Sequence, residues 1–139
     1  MNMKKLIINI LFTIVLVSCK GFPDIGGDYR LIYNSGGDIG IVNSKNTFIV
    51  YGHILEYYYD LTYIIVAERP RDSIPECNYS ISNKPLNECD EAFEKSSFKQ
   101  FWIINKKNDS VWGPYKEEAY LFKRKELGIP DSIKIIPYR

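Results

Sequence analysis

Between residues 29 and 68 the chain changes character every few positions, and this spacing limits the fold more than any other feature. Residues 29–33 form an apolar run stopped by Asn34-Ser35-Gly36-Gly37-Asp38, a hairpin-like cluster. Residues 39–42 form the next, stopped by Asn43-Ser44-Lys45-Asn46, and residues 47–51 a third, broken at Gly52. Residues 54–59 and 61–68 follow, hinged at Asp60. Strands this close together connect as an antiparallel meander, because a parallel pair needs a long crossover. Ile64-Ile65-Val66-Ala67 is continuous rather than alternating, which predicts a central strand covered on both faces and ended by Pro70. Eleven tyrosines among the 139 residues fit the same reading, since Tyr suits a pleated, half-buried surface.

The remainder of the chain supplies helices. Residues 69–90 form a polar excursion holding Pro70, Pro75, Pro85, Cys77 and Cys89. A loop of this length in one compact domain calls for a function or a staple. Residues 88–98 predict a short helix with Ala92 and Phe93 turned inward. Phe101-Trp102-Ile103-Ile104 and Ser110-Val111-Trp112, joined by a turn over 105–109, predict a hairpin carrying both tryptophans. Gly113-Pro114 is expected to break that strand and Pro114 to open a helix over 115–127. Glu117 and Glu118 at its start and Lys123, Arg124 and Lys125 at its end complement the helix dipole, and Gly128 with Pro130 stops it. Residues 133–136 read as a last strand. The expected architecture is therefore α+β: an antiparallel sheet with one or two helices packed on one face.

The first nineteen positions carry a different message. Lys4 and Lys5 precede an apolar run over 6–17 that ends in Leu16-Val17-Ser18-Cys19. The order of basic head, apolar stretch and short closing residues is that of a secretory signal peptide. The run is too short for a stable transmembrane helix, which needs about 20 apolar residues. Its ending resembles the lipobox of bacterial lipoproteins, which implies a diacylglyceryl thioether on Cys19, cleavage before it and retention on a membrane. Two acyl chains suffice for stable anchoring where one is marginal. The expected organisation is a signal peptide over 1–18, a lipidated Cys19 with a flexible tether over 19–27, and one domain over 28–139. The domain would then lie outside the cytoplasm, on the outer membrane in a cell with two membranes, as Lys20 rather than Asp follows the anchor.

Removal of Lys4 and Lys5 takes the formal charge from +1 to −1, so the mature chain offers no basic footprint for nucleic acid and no polybasic patch for anionic lipid. With Cys19 lipidated, Cys77 and Cys89 remain in an oxidising compartment, and a disulfide between them is expected. A metal site is the competing reading, but the single histidine, His53, lies far away in sequence, and no metal or other cofactor is expected.

Candidate chemistry is sparse. His53 would have to serve any histidine-based catalytic pair, yet no nucleophile-elbow or metalloprotease motif accompanies it, and a turn histidine is the simpler reading. Glu56 and Asp60 are the carboxylate pair a glycan hydrolase would need, although Asp60 also suits a turn. No catalytic residue is assigned. Tyr57, Tyr58 and Tyr59, with Trp102 and Trp112, are the candidate binding surface, able to stack on a glycan or meet an envelope protein. Packing within a Tyr-rich sheet is the alternative for all five.

The segment 101–107, Val111-Trp112-Gly113-Pro114 and Lys123-Arg124-Lys125-Glu126-Leu127-Gly128-Ile129-Pro130-Asp131 together resemble a family of short bacterial lipoproteins of uncharacterised function. The resemblance implies a membrane-anchored envelope lipoprotein and carries over no catalytic residue. The expected role is a non-enzymatic binding or structural module. A hydrolase using Glu56, Asp60 or His53, and an immunity-type protein guarding its cell against a toxin, are the alternatives.

Overall fold

A computed structural model describes residues 22–78, 80 and 82–138. Cys19 and the signal segment expected over 1–18 lie outside the described residues. Strands β1 (Arg30–Tyr33), β2 (Ile39–Val42) and β3 (Phe48–Val50) make a small antiparallel sheet. Strands β4 (His53–Tyr59), β5 (Tyr63–Arg69), β6 (Gln100–Asn105), β7 (Ser110–Tyr115) and β8 (Ile136–Pro137) make a second, in the order β7-β6-β5-β4-β8. Helices α1 (Leu86–Lys95) and α2 (Glu117–Glu126) complete the α+β fold, with two 3-10 turns at Arg71–Ser73 and Pro75–Cys77.

The five closely spaced strands thus divide between two sheets instead of continuing as one. The corner is at Gly52. Its N–H donates to the Glu68 carboxylate at 2.7 Å, and a Cβ there would collide with that carboxylate and meet Pro70 Cα at 3.1 Å. Only glycine lets the backbone come this close.

Period-two alternation then gives the central sheet two working faces. Ile54, Ile64, Val66 and Ile104 pack toward the small sheet, joined by Leu31, Ile41 and Val50. Ile65, Ala67, Phe101 and Ile103 pack toward the other side, where Tyr120 of α2 and Ile129 cover them. The four residues Ile64 to Ala67 are each no more than 1% exposed, as their unbroken apolar run predicts for a strand flanked by β4 and β6. Small sheet, large sheet and α2 are therefore three layers with two cores.

Several boundaries move. Gly113-Pro114 does not end β7, and Pro114 does not open α2. The strand runs on to Tyr115 with Gly113 at φ +136 and a cis Gly113–Pro114 peptide. The β6–β7 register shifts between Phe101 and Ile103, the signature of a bulge that absorbs the irregular residues without stopping the pairing. A Cβ on Gly113 would meet Phe101 O at 2.7 Å, so the bulge too depends on glycine. The last strand is shorter and later than expected, because Ile133 and Ile135 turn into the α2-side core and only Ile136 and Pro137 pair with β4. Ordered packing also begins before Asp28: Ile25, in the stretch expected to be a tether, is 1% exposed and belongs to the core under the small sheet. Lys106 holds it there, its Nζ donating to Ile25 O at 2.8 Å.

The polar excursion folds as a separate knot at one end of the sheet. Cys77 and Cys89 form a disulfide, and with Ile74 and Phe93 they make a small third core against which Ala92 packs. The inward orientation expected for Ala92 and Phe93 is therefore found.

Candidate functional site

Four elements converge where this knot meets the two sheets. The turn after β1 is tied by Asn34, whose Oδ1 accepts from Gly36 N at 2.8 Å and Asp38 N at 3.1 Å. Its Nδ2 donates to Tyr51 O at 2.8 Å, fastening the turn to the end of β3. The turn thereby delivers Asp38, almost fully buried, to the start of β2. His53 begins β4 and places Nδ1 3.2 Å from Asp38 Oδ1, so a Nδ1–H faces a group that can only accept. Arg71, on the 3-10 turn after Pro70, reaches the same carboxylate with Nε at 3.2 Å from Oδ2, and its Nη1 reaches Asp90 of α1 at 2.9 Å.

Phe93 of α1 completes the group. His53 meets its ring edge-on at 5.6 Å, and the guanidiniums of Arg69 and Arg71 lie 5.1 and 4.8 Å from its centroid. Such cation–π contacts gain strength where water is excluded. Burial by itself would lower the Arg71 pKa, but Asp90 and Asp38 outweigh burial and hold it above its ordinary value. The cluster is a chain of ion pairs, Asp38–Arg71–Asp90, in which two carboxylates share one guanidinium, with His53 on its flank.

Beside it opens a cleft of about 480 Å³ lined by Asn34, Ser35, Asp38, Tyr51, Arg71 and Asn78 among others. Tyr51 stands on its rim, 55% exposed, propped edge-on by Phe48 at 4.9 Å and with its hydroxyl 3.0 Å from Ser35 Oγ. The cleft therefore presents one aromatic face beside hydroxyl, amide and charged groups.

The residues singled out in the sequence do not assemble into one site. Asp60 caps the β4–β5 turn, accepting from Thr62 N at 2.6 Å, Tyr63 N at 2.7 Å and Tyr58 OH at 2.9 Å. Burial would raise its pKa, but the N–H groups of Tyr63 and Thr62, the Tyr58 hydroxyl and the Lys106 charge together hold it below the ordinary value. Glu56 instead meets Lys99 Nζ at 3.1 Å. Neither carboxylate joins His53. Tyr58 takes the α2 face of the sheet, whereas Tyr57 and Tyr59 share the other face and stack at 6.0 Å. Trp102 packs against the core under the small sheet and Trp112 against the core under α2, with Lys123 Nζ 5.5 Å from a Trp112 ring. The hairpin carries both tryptophans as expected, but on opposite sides, so they do not make one platform.

The sequence reading passed over three residues. Asp38 counted there only as a turn residue and Arg71 as loop. Glu68 was the end of an apolar strand; it is 2% exposed and accepts from Gly52 N at 2.7 Å, Gln100 Nε2 at 2.8 Å and Trp102 Nε1 at 2.5 Å. A carboxylate closing so apolar a run, opposite a Gln and a Trp on the next strand, was the available signal. Among the described residues no three of His, Cys, Asp or Glu stand together as a metal cage, and no helix is long and apolar enough to cross a membrane.

A family model described as "Protein of unknown function (DUF3997)" matches residues 26–138. The chain belongs to this family. The match takes in both sheets, both helices and the disulfide knot, so the cleft and the two cores are parts of one DUF3997 domain. No curated protein and no solved structure matches the chain.

Proposed function

We propose that this DUF3997 protein is a lipid-anchored lipoprotein of a bacterial envelope and works there as a binding module without catalysis. The pattern ending at Cys19 supports the anchor, and the Cys77–Cys89 disulfide fits a domain that folds outside the reducing cytoplasm. The ligand class is a hydroxyl-rich envelope glycan fragment held in the cleft beside Asp38 and Arg71. The observation that carries this reading is Tyr51: a braced, exposed aromatic ring beside hydroxyl, amide and charged groups is what stacking on a sugar requires.

The His53–Asp38 contact favours a hydrolase as the second reading. Against it, Arg71 already neutralises that carboxylate, and among the described residues no hydroxyl or thiol hydrogen-bonds to His53 to serve as nucleophile.

Titration of the full-length protein in detergent with soluble cell-wall oligosaccharides tests the proposal. Saturable binding is expected, weakened about tenfold by Tyr51→Ala, the equivalent of about 1.4 kcal/mol. Shortened products whose release stops in His53→Ala would establish the hydrolase instead. For the anchor, Cys19→Ala should move the protein out of the detergent phase; unchanged partitioning would remove it.

A further inference from the structure

A second surface lies where the described chain begins. Tyr59 stacks on Tyr57 at 6.0 Å, and Tyr57 meets Tyr138 at 5.7 Å. Burial raises the Tyr138 pKa, and the neighbouring Tyr33 and Tyr57 hydroxyls add to the rise. Tyr33 in turn packs edge-on against Phe22 at 4.9 Å. Ile136, paired across from Tyr57, adds an aliphatic group that is 56% exposed. The row has a rigid base, because Phe22, Tyr57 and Tyr138 pack on the core beneath the small sheet. Its outer part is open, with Tyr33 64% and Tyr59 39% exposed.

We infer that this aromatic row is a membrane-docking face that seats the domain in the headgroup layer of the bilayer carrying its anchor. The inference rests on lipidation of Cys19. Two residues lie between Cys19 and Phe22, and a chain spans at most about 3.6 Å per step, so the backbone of the acylated cysteine is held within about 11 Å of that of Phe22 in the row. A tether that short keeps this face against the membrane whenever the acyl chains are inserted. Tyrosine is the side chain that membrane interfaces favour, its ring among the upper acyl carbons and its hydroxyl among the headgroups. The mature chain's formal charge of −1 leaves apolar and aromatic contact, rather than attraction to anionic lipid, as the docking force.

The test places a photo-reactive benzoylphenylalanine at Tyr33, at Tyr59 or at Phe122 of the full-length protein in bacterial membranes. Phe122 is 70% exposed on α2, across the central sheet from the row, and serves as the control. Lipid adducts at positions 33 and 59, absent at 122 and undiminished in high salt, are expected. Adducts to protein or glycan alone at 33 and 59, or lipid adducts equal at all three positions, would overturn the docking face. The mass of the peptide beginning at Cys19 reads the anchor separately: lipid on Cys19 without adducts at 33 and 59 removes the face and keeps the anchor. Adducts at both positions with Cys19 unmodified keep the face and remove the anchor.

Discussion

The central strands β5 and β6 and the knot from Pro70 to Lys99 are neighbours held by different forces. In the strands, Ile64, Ile65, Val66, Ile103 and Ile104 are each at most 1% exposed and packed on both faces, so apolar burial does the holding. Among the described residues the knot's core is Ile74, Cys77, Cys89 and Phe93 with Ala92 against them, a small apolar group to fix it by burial. A crosslink and charge take over: the disulfide closes the loop, Arg71 joins Asp38 to Asp90, and Arg69 donates to Phe93 O at 2.6 Å and Phe98 O at 2.9 Å. The cleft lies between the β1–β2 turn with the corner at Tyr51 and Gly52 on one side and, on the other, the knot, whose stability is borrowed from covalent and ionic links.

The two regions can be perturbed separately. Ile103→Ala removes a fully buried side chain shared by the central layer and should cost about 4 kcal/mol in urea unfolding, with the whole domain lost together. If the knot melts first in that variant, burial in the strands is not what unites the fold. Replacing Cys77 and Cys89 by Ala should cost about 3 kcal/mol. Hydrogen exchange should show that loss in the knot while β5 and β6 stay protected. Equal deprotection of both regions would erase the distinction between them. Glu68→Leu tests the join: it leaves the Gly52 and Trp102 donors without their acceptor and should cost about 2 kcal/mol. Near-wild-type stability would mean that the corner at Gly52 does not need the carboxylate.

The smallest effect concerns Tyr29, just before the first strand. Tyr29 donates to Asp109 at 2.9 Å, and burial, with Asp109 adding to it, raises its pKa from 10.0 to about 12. A folded-state pKa above the unfolded one gives stability that is complete below pH 10 and is lost as pH rises toward 12. Alkaline titration followed by circular dichroism should show this decline. Tyr29→Phe should flatten it while costing about 1 kcal/mol at neutral pH.

Much of the architecture was legible locally. Residues 39–42 were placed where β2 is found, and the unbroken run Ile64 to Ala67 identified the strand covered on both faces. Cys77 and Cys89, the two cysteines left once Cys19 is set aside, were expected to pair, and they do. The site was far less legible. Asp38, His53, Arg71 and Asp90 span four separate stretches, and no local pattern marks residues that meet only after folding. The hairpin tryptophans show the same limit, since the register from the turn pairs Trp112 with Ile103 and so puts it on the face opposite Trp102.

Apolar periodicity and turn residues act between neighbours in the chain, and setting Cys19 aside leaves two cysteines, so the sequence by itself determined the strand-rich α+β class, the central strand and the stapled loop. Which sheet each strand joins was a tertiary decision, made where the Gly52 N–H meets the buried Glu68 carboxylate sixteen residues away. The charge chain on Arg71 and the aromatic row from Phe22 to Tyr59 were decided in the same way, because both are assembled from distant segments whose contacts exist only once the two sheets have packed.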